Sequence, residues 1–268
     1  MSSFSNSPIG IIDSGMGGIT VWAEITRIMP LEDVIYWADT AHCPYGGRTR
    51  DEITALVSVG VENLLERGAK IIVIACNTAT TAAIATLRQR WKVPFVGLEP
   101  AIKPAALTTQ SGVVGVLGTA YTVQSEMFRH TMAKYAAGIN VMAVAGNGLV
   151  EEVENETENS PRAVALLHQY IDPMLEAGID KLVLACTHFP LLTPSIREVI
   201  GERDVEIINP APAVARHTHE LLVEGGMLAD RTGDGRYTFI STGGADDVEH
   251  LRMRAEHYKK SINETSRE

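Results

Sequence analysis

The sequence predicts an α/β protein made of two pseudo-symmetric parallel-sheet α/β domains facing each other across a central cleft. Three observations predict it. Short Val- and Ile-rich runs alternate with helical patterns along the chain, the signature of parallel α/β architecture. Most runs are apolar at every position, as strands covered on both faces are, rather than alternating as half-exposed strands do. Finally, Leu65-Glu66-x-Gly68-x-x-Ile71-Ile72-Val73-Ile74-Ala75-Cys76 recurs without a gap, 110 positions on, as Leu175-Glu176-x-Gly178-x-x-Lys181-Leu182-Val183-Leu184-Ala185-Cys186.

The strands expected in order are Ile9–Ile12, Asp33–Trp37, Ile71–Ala75, Pro94–Gly97, Val113–Leu117, Ile139–Val144, Lys181–Ala185, Val205–Ile208 and Tyr237–Ser241. Between them the pattern predicts helices over Ile19–Met29, Asp51–Arg67, Thr78–Arg90, Thr122–Ala136, Ser160–Ala177, Pro190–Val199, Pro212–Glu224 and Ala245–Tyr258. Gly68, Gly138 and Gly178 stand where helix C-terminal stops belong. Ile9-Gly10-Ile11-Ile12 and Val114-Gly115-Val116-Leu117 extend the repeat at an offset of 105, so loop lengths differ between the halves. The first domain is expected to comprise residues 1–97 with 210–268, and the second residues 98–209. Glu264–Glu268 is expected to fray.

Composition narrows the function. With 45% apolar residues the chain can bury a sizeable core. A net charge of -10 argues against a nucleic-acid partner or an anionic membrane surface. No apolar run reaches the roughly 18 residues of a membrane span, and Met1–Pro8 lacks the apolar stretch of a signal peptide. Three Cys give no disulfide framework, which fits a reducing cytoplasm.

Cys76 and Cys186 carry the strongest chemical signal. A lone Cys at a strand end usually serves as a small hydrophobe. Two at equivalent places in a repeat point instead to a reaction that uses a thiol on each side of a substrate. Strand carboxyl ends are where α/β sheets bind ligands, and a helix start beyond each Cys favours a thiolate and binds carboxylates. Zinc is not expected: Cys43, Cys76, Cys186, His42 and His188 contain no Cys-x-x-Cys pair. Residues i and i+2 usually point apart, which argues against His188 serving its own Cys186.

Asp13-Ser14-Gly15-Met16-Gly17-Gly18 follows the first strand, and its glycines suit a tight turn. It matches neither the dinucleotide fingerprint nor the P-loop. Asp13 suits an ammonium partner or a proton acceptor, with helix capping as the ordinary alternative. Asp39 to Gly46 reads as a loop whose Pro-Tyr-Gly turn can expose amides to a ligand. Gly118-Thr119-Ala120-Tyr121-Thr122 occupies the equivalent place in the second half and offers two hydroxyls. Among Glu151, Glu152, Glu154, Glu156 and Glu158, composition singles out none.

Together these motifs resemble glutamate racemases of the cofactor-independent aspartate/glutamate racemase superfamily. The resemblance rests on Ile12-Asp13-Ser14-Gly15-Met16-Gly17-Gly18, the Asp39-Thr40-Ala41…Pro44-Tyr45-Gly46 loop, Ala75-Cys76-Asn77-Thr78-Ala79, Gly97-Leu98-Glu99-Pro100 and Ala185-Cys186-Thr187-His188-Phe189-Pro190-Leu191. It covers nearly the whole chain. It implies Cys76 and Cys186 as acid/base pair, with Asp13 assisting the first and His188, backed by Glu154, the second. It implies substrate contacts at Asp13, Ser14, Tyr45, Gly46, Asn77, Thr78, Thr187 and His188. Thr119 and Thr122 match the family's Gly-Thr-x-x-Thr turn and are added to that set. The implied activity is interconversion of L- and D-glutamate for peptidoglycan synthesis, without cofactor or metal, by a cytoplasmic homodimer. Cys43 stands where many members carry an apolar residue and is given no catalytic part. The alternatives are an aspartate racemase or related isomerase on this scaffold, or a non-catalytic amino-acid-binding protein, which would not require both thiols.

Overall fold

The computed structural model describes residues 5–265. They form two compact units, one comprising the chain up to Leu98 and again from Ala211 onward, the other Glu99–Pro210. The first unit begins β1 (Ile9–Asp13), α1 (Ile19–Ile28), β2 (Val34–Ala38), α2 (Arg50–Glu66), β3 (Ile71–Ile74), α3 (Asn77–Arg90), β4 (Phe95–Gly97). The second contains α4 (Ile102–Thr108), β5 (Val113–Gly118), α5 (Ala120–Val123), α6 (Glu126–Tyr135), β6 (Asn140–Ala145), α7 (Leu149–Glu154), α8 (Pro161–Glu176), β7 (Lys181–Ala185), α9 (Thr193–Ile200) and β8 (Glu206–Ile208). The chain then returns to the first unit with α10 (Ala211–Glu224), β9 (Tyr237–Ser241) and α11 (Ala245–Thr265).

Both sheets are parallel throughout, ordered β4-β3-β1-β2-β9 and β6-β5-β7-β8. In the first, β2 lies on one side of β1 and β3 on the other. Right-handed crossovers in opposite directions put their helices on opposite faces. Accordingly α1 packs with α10 and α11, and α2 with α3. Every residue of β1, β2 and β3 is therefore buried, which is why these strands read as unbroken apolar runs. In the second sheet β6 and β7 flank β5 in the same way, and the edge strand β6 is only partly covered.

The repeat has a common mechanical basis. Gly68 and Gly178 adopt φ of 82° and 80°, a left-handed conformation that costs glycine little. Each ends its helix with the same pair of bonds: Gly68 N to Leu65 O and Ala69 N to Leu64 O, matched by Gly178 N to Leu175 O and Ile179 N to Met174 O. The chain is thereby turned into β3 in one unit and β7 in the other. At its other end α2 opens with a capping box, in which Thr49 Oγ1 accepts from Glu52 N and Glu52 Oε2 accepts from Thr49 N.

The return segment is fixed by aromatic packing. Trp22 of α1 lies 5.3 Å from the rings of both Tyr237 and Phe239 in β9, and Lys259 of α11 sits over Trp22 and Tyr237. At the amino edge of this sheet the buried Lys70 donates to Glu32 Oε2, Ser5 O and Met227 O. The second unit has a carboxylate in a comparable place. Asp180 accepts from Thr109 Oγ1, Gln110 N, Ser111 N and Ser111 Oγ.

Several elements differ from the expectation. The helix predicted over Thr122–Ala136 is two, because Ser125 Oγ accepts from Phe128 N and restarts the chain as α6. Pro190–Val199 is a 3₁₀ turn, Phe189–Leu192, followed by α9. α4 and α7 were not expected. Each is short, α4 carries Pro104 in its first turn, and α7 is acidic along half its length. The terminal helix runs on through Glu264 to Thr265 rather than fraying there, and 266–268 lie outside the described residues. No helix among the described residues is long and apolar enough to cross a membrane.

Asp180 yields a pH prediction. Burial raises its pKa, but the four hydrogen bonds outweigh burial and hold it at about 2, below its ordinary 3.8. A carboxylate with a depressed folded-state pKa contributes stability that is present above its unfolded value and lost as pH falls through the folded one. Asp180→Asn is therefore expected to flatten the dependence of stability on pH between about 4 and about 2, measured as urea midpoints across that range. An unchanged slope would show that the four bonds are equally satisfied by a neutral group.

Candidate active site

Strand order reverses once in each sheet, at β1/β3 and at β5/β7. Where neighbouring parallel strands send their following loops to opposite faces, a crevice opens outside their carboxyl ends, and ligands bind there. Ile12 is in register with Ile74, and Gly118 with Ala185. Asp13-Ser14 thus stands beside Ala75-Cys76, and Thr119 beside Cys186. Both cysteines lie at a reversal, one in each unit.

In the first unit Cys76 is the N-cap of the 14-residue α3, and its Sγ accepts from Ala79 N at 3.4 Å. The open N–H groups and positive end of this helix favour negative charge on sulfur. Ser14 Oγ lies 3.8 Å from the same Sγ. Asp13, almost wholly buried, accepts from Gly18 N through Oδ2. This is the capping role foreseen as its ordinary use, made without engaging Oδ1 in that bond.

Tyr45 is buried in the 3₁₀ turn Tyr45–Gly47, with Gly46 half-buried beside it. Its hydroxyl donates to Asp39 Oδ2 at 2.7 Å. Burial first, then the bond to Asp39 and the charges of Cys76 and Asp13, push its pKa far up, so it acts as a neutral donor. Asp39 Oδ1 is held by Thr242 Oγ1 and His42 Nδ1, each at 2.8 Å. Thr242 has no signal in the sequence, being 203 positions from Asp39. Asn77 is 1% exposed, and its Nδ2 donates to Leu98 O while Oδ1 is buried with no hydrogen-bond partner. A lone buried acceptor is costly unless something fills it, so this atom is suited to a ligand N–H. Thr78 lies buried on the same first turn.

The second unit departs from the first. Cys186 also follows its strand, but a 3₁₀ turn succeeds it instead of a long helix. His188 therefore takes helical backbone angles (φ -73°, ψ -32°), and its Nδ1 comes to 3.8 Å from Cys186 Sγ. The expectation that the i and i+2 side chains diverge is not met here: the Cys186 thiol and the His188 ring approach each other. His188 Nε2 meets Glu154 Oε1 at 2.5 Å, an imidazole oriented by a carboxylate. Glu152, two residues earlier, points elsewhere and is bonded by Thr157 and Ser160 hydroxyls. Thr187 is buried next to Cys186. Thr119 Oγ1 accepts from Thr122 N and donates to Thr122 Oγ1 at 3.0 Å, so this pair also caps α5.

Sequence and fold comparisons identify the family. The family model for Asp/Glu/hydantoin racemases matches residues 20–218. The chain belongs to this family. It is an isomerase, an amino-acid racemase. A glutamate racemase of Roseiflexus sp. (strain RS-1) is 44% identical, covering 95% of this chain and 94% of its own. The Escherichia coli glutamate racemase, solved with L-glutamate and the activator UDP-MurNAc-ala, superimposes with a TM-score of 0.81 at 31% identity, over 93% of this chain and 95% of that one. The Francisella tularensis glutamate racemase, solved with D-glutamate, gives a TM-score of 0.81 at 26% identity, over 96% and 94%.

The Tyr45–Asp39 bond is open to a direct check. Tyr45→Phe leaves Asp39 Oδ2 without its buried donor, and the expected loss is about 1–3 kcal/mol of stability, read from urea denaturation. A variant as stable as the parent would show that water or another donor replaces the hydroxyl.

Proposed function

We propose that this racemase interconverts L- and D-glutamate by a two-base mechanism in which Cys76 and Cys186 are the acid/base pair. The observation that carries the reading is the pair of thiols at the two strand-order reversals, each with its own polar helpers. Relatives named glutamate racemase, and solved relatives holding L- or D-glutamate, support glutamate as the substrate.

One sulfur, as thiolate, accepts the α-proton, so the C–H bond breaks and its electron pair stays on the α-carbon as a carbanion delocalised into the carboxylate. The other sulfur, as thiol, gives its proton to the opposite face. The product leaves with the protonation states of the two sulfurs exchanged, and the reverse reaction starts from that state. Asp13 and Ser14 serve the Cys76 side, His188 with Glu154 behind it the Cys186 side. The first-turn N–H groups at Asn77-Thr78 and the turn at Thr187-His188 suit the α-carboxylate, where charge grows as the proton leaves. Asn77 Oδ1, Tyr45, Gly46, Thr119 and Thr122 complete the substrate contacts in this reading. The chemistry uses side chains alone and calls for no cofactor or metal. D-Glutamate made this way would feed peptidoglycan synthesis in the cytoplasm, and the active protein would be a homodimer.

Circular dichroism with L-glutamate or L-aspartate as sole substrate tests both substrate and mechanism. The signal of L-glutamate is expected to decay to zero without added cofactor, and that of L-aspartate to persist. Cys76→Ser and Cys186→Ser are each expected to lower kcat by at least about a hundredfold. Full racemisation by Cys186→Ser would sink the two-thiol scheme, and preference for L-aspartate would replace the substrate.

A further inference from the structure

We infer that Glu152, held by Thr157 and Ser160, is a positioning residue that aims Glu154 at His188. The inference rests on the reading of His188 and Glu154 as helpers of Cys186 and names what places them.

α7 is only six residues long, too short to hold a fixed orientation through its own hydrogen bonds. Its last residue nevertheless must present a carboxylate to His188 Nε2. Two residues before that, Glu152 turns away and is almost wholly buried. Its Oε2 accepts from Thr157 Oγ1 at 2.7 Å and from Ser160 Oγ at 2.8 Å, and Arg162 lies 3.3 Å from Oε1. The Thr157 hydroxyl, against burial, and then Ser160 and Arg162 keep this carboxyl below the ordinary range, so it is an anion at neutral pH. Thr157 N and Oγ1 also donate to Glu152 O. The chain is thus folded back on α7 through a left-handed Glu156 at φ 54°, a conformation uncommon for a side-chain-bearing residue.

Two further contacts tie this turn to different helices of the second unit. Ser160 is the N-cap of α8, donating to Glu152 while accepting from Ala163 N. Ser195 of α9 donates to Glu158 O and Asn159 Oδ1. Cys186 and His188 sit on the segment that leads into α9. Glu152 therefore ties the start of α8 to α7, and Ser195 ties the same turn to the helix that follows His188. Glu154 and His188 are held from both sides. The Arg162–Glu152 contact adds little by itself, since its Arg162 end is 73% exposed. The two hydroxyls are the positioning contacts.

The test compares Thr157→Val, which keeps shape and deletes the hydroxyl, with Thr157→Ser, which keeps the hydroxyl, alongside Glu152→Ala and Glu154→Gln. Thr157→Val and Glu152→Ala are expected to lower kcat by about tenfold to a hundredfold with KM little changed, the scale of a misplacement near 1 Å. Their pH–rate profiles should shift in the same sense as that of Glu154→Gln, and Thr157→Ser should match the parent. The ¹H–¹⁵N resonances of the His188 ring, assigned by substitution, give a readout independent of turnover. They should move in Thr157→Val toward their positions in Glu154→Gln. Parent-like His188 resonances and kcat in folded Thr157→Val would overturn the inference, even if Glu152→Ala fails to fold. If Glu154→Gln keeps full activity while the His188 resonances move in both variants, the catalytic reading of Glu154 fails and the positioning inference stands.

Discussion

Everything at the two cysteines depends on a constraint of parallel sheets. A strand that reverses the order of a sheet sends the chain over the opposite face, and the gap left at its carboxyl end is closed by neither loop. β1/β3 and β5/β7 are such gaps. Each is walled by apolar strand that provides no polar atoms except at the turns. The residues at and just past the strand ends, Asp13-Ser14 and Cys76 in one unit, Thr119 and Cys186 in the other, are thus the first that can present chemistry to a ligand. In the first unit backbone bonds tie these turns to the sheet, Ala75 N to Ile12 O and Asp39 N to Asp13 O.

The units then solve the same problem by different means. Cys76 draws on a helix end: it caps the 14-residue α3, and Ala79 N of the first turn donates to its sulfur. Cys186 has no long helix and is paired with an imidazole whose far nitrogen is fixed by a carboxylate. The first device is a fixed partial charge that does not titrate. The second is a pair of titratable groups that can take up and release a proton. A duplicated frame therefore carries two electrostatic environments, which suits a reaction run in both directions on mirror-image molecules.

The architecture was legible because it is written in local terms. Gly68 and Gly178 mark helix stops by backbone conformation, and the buried strands announce double coverage by having no polar position. α4 and α7 escaped because six or seven residues hold too few turns to show a period. Within the site, spacing could place Cys76 and Cys186 on strand ends but not the orientation of the Glu-rich run. Which of five acidic side chains meets His188 depends on the phase of α7, and that phase is set by Thr157 and Ser160, residues with no periodic signal. Asp39 and Thr242 were hidden for another reason. Their bond joins β2's end to β9's end across 203 positions, a contact made only by the sheet's final register.

That last register has a temporal side. The first unit's sheet is not complete when its first four strands have been made, since β9 must still add beside β2 and α10 and α11 must still cover α1. A ribosome making the chain at about 5–20 residues per second delivers the whole second unit before those elements exist. Through that interval the outer edge of β2 and the apolar face of α1, including Trp22, are exposed to water and to other chains. The second unit, contiguous in sequence, carries no such debt. The nascent protein thus holds a finished half and an open half at once, and its hazard of mispairing lies on the half that was begun first.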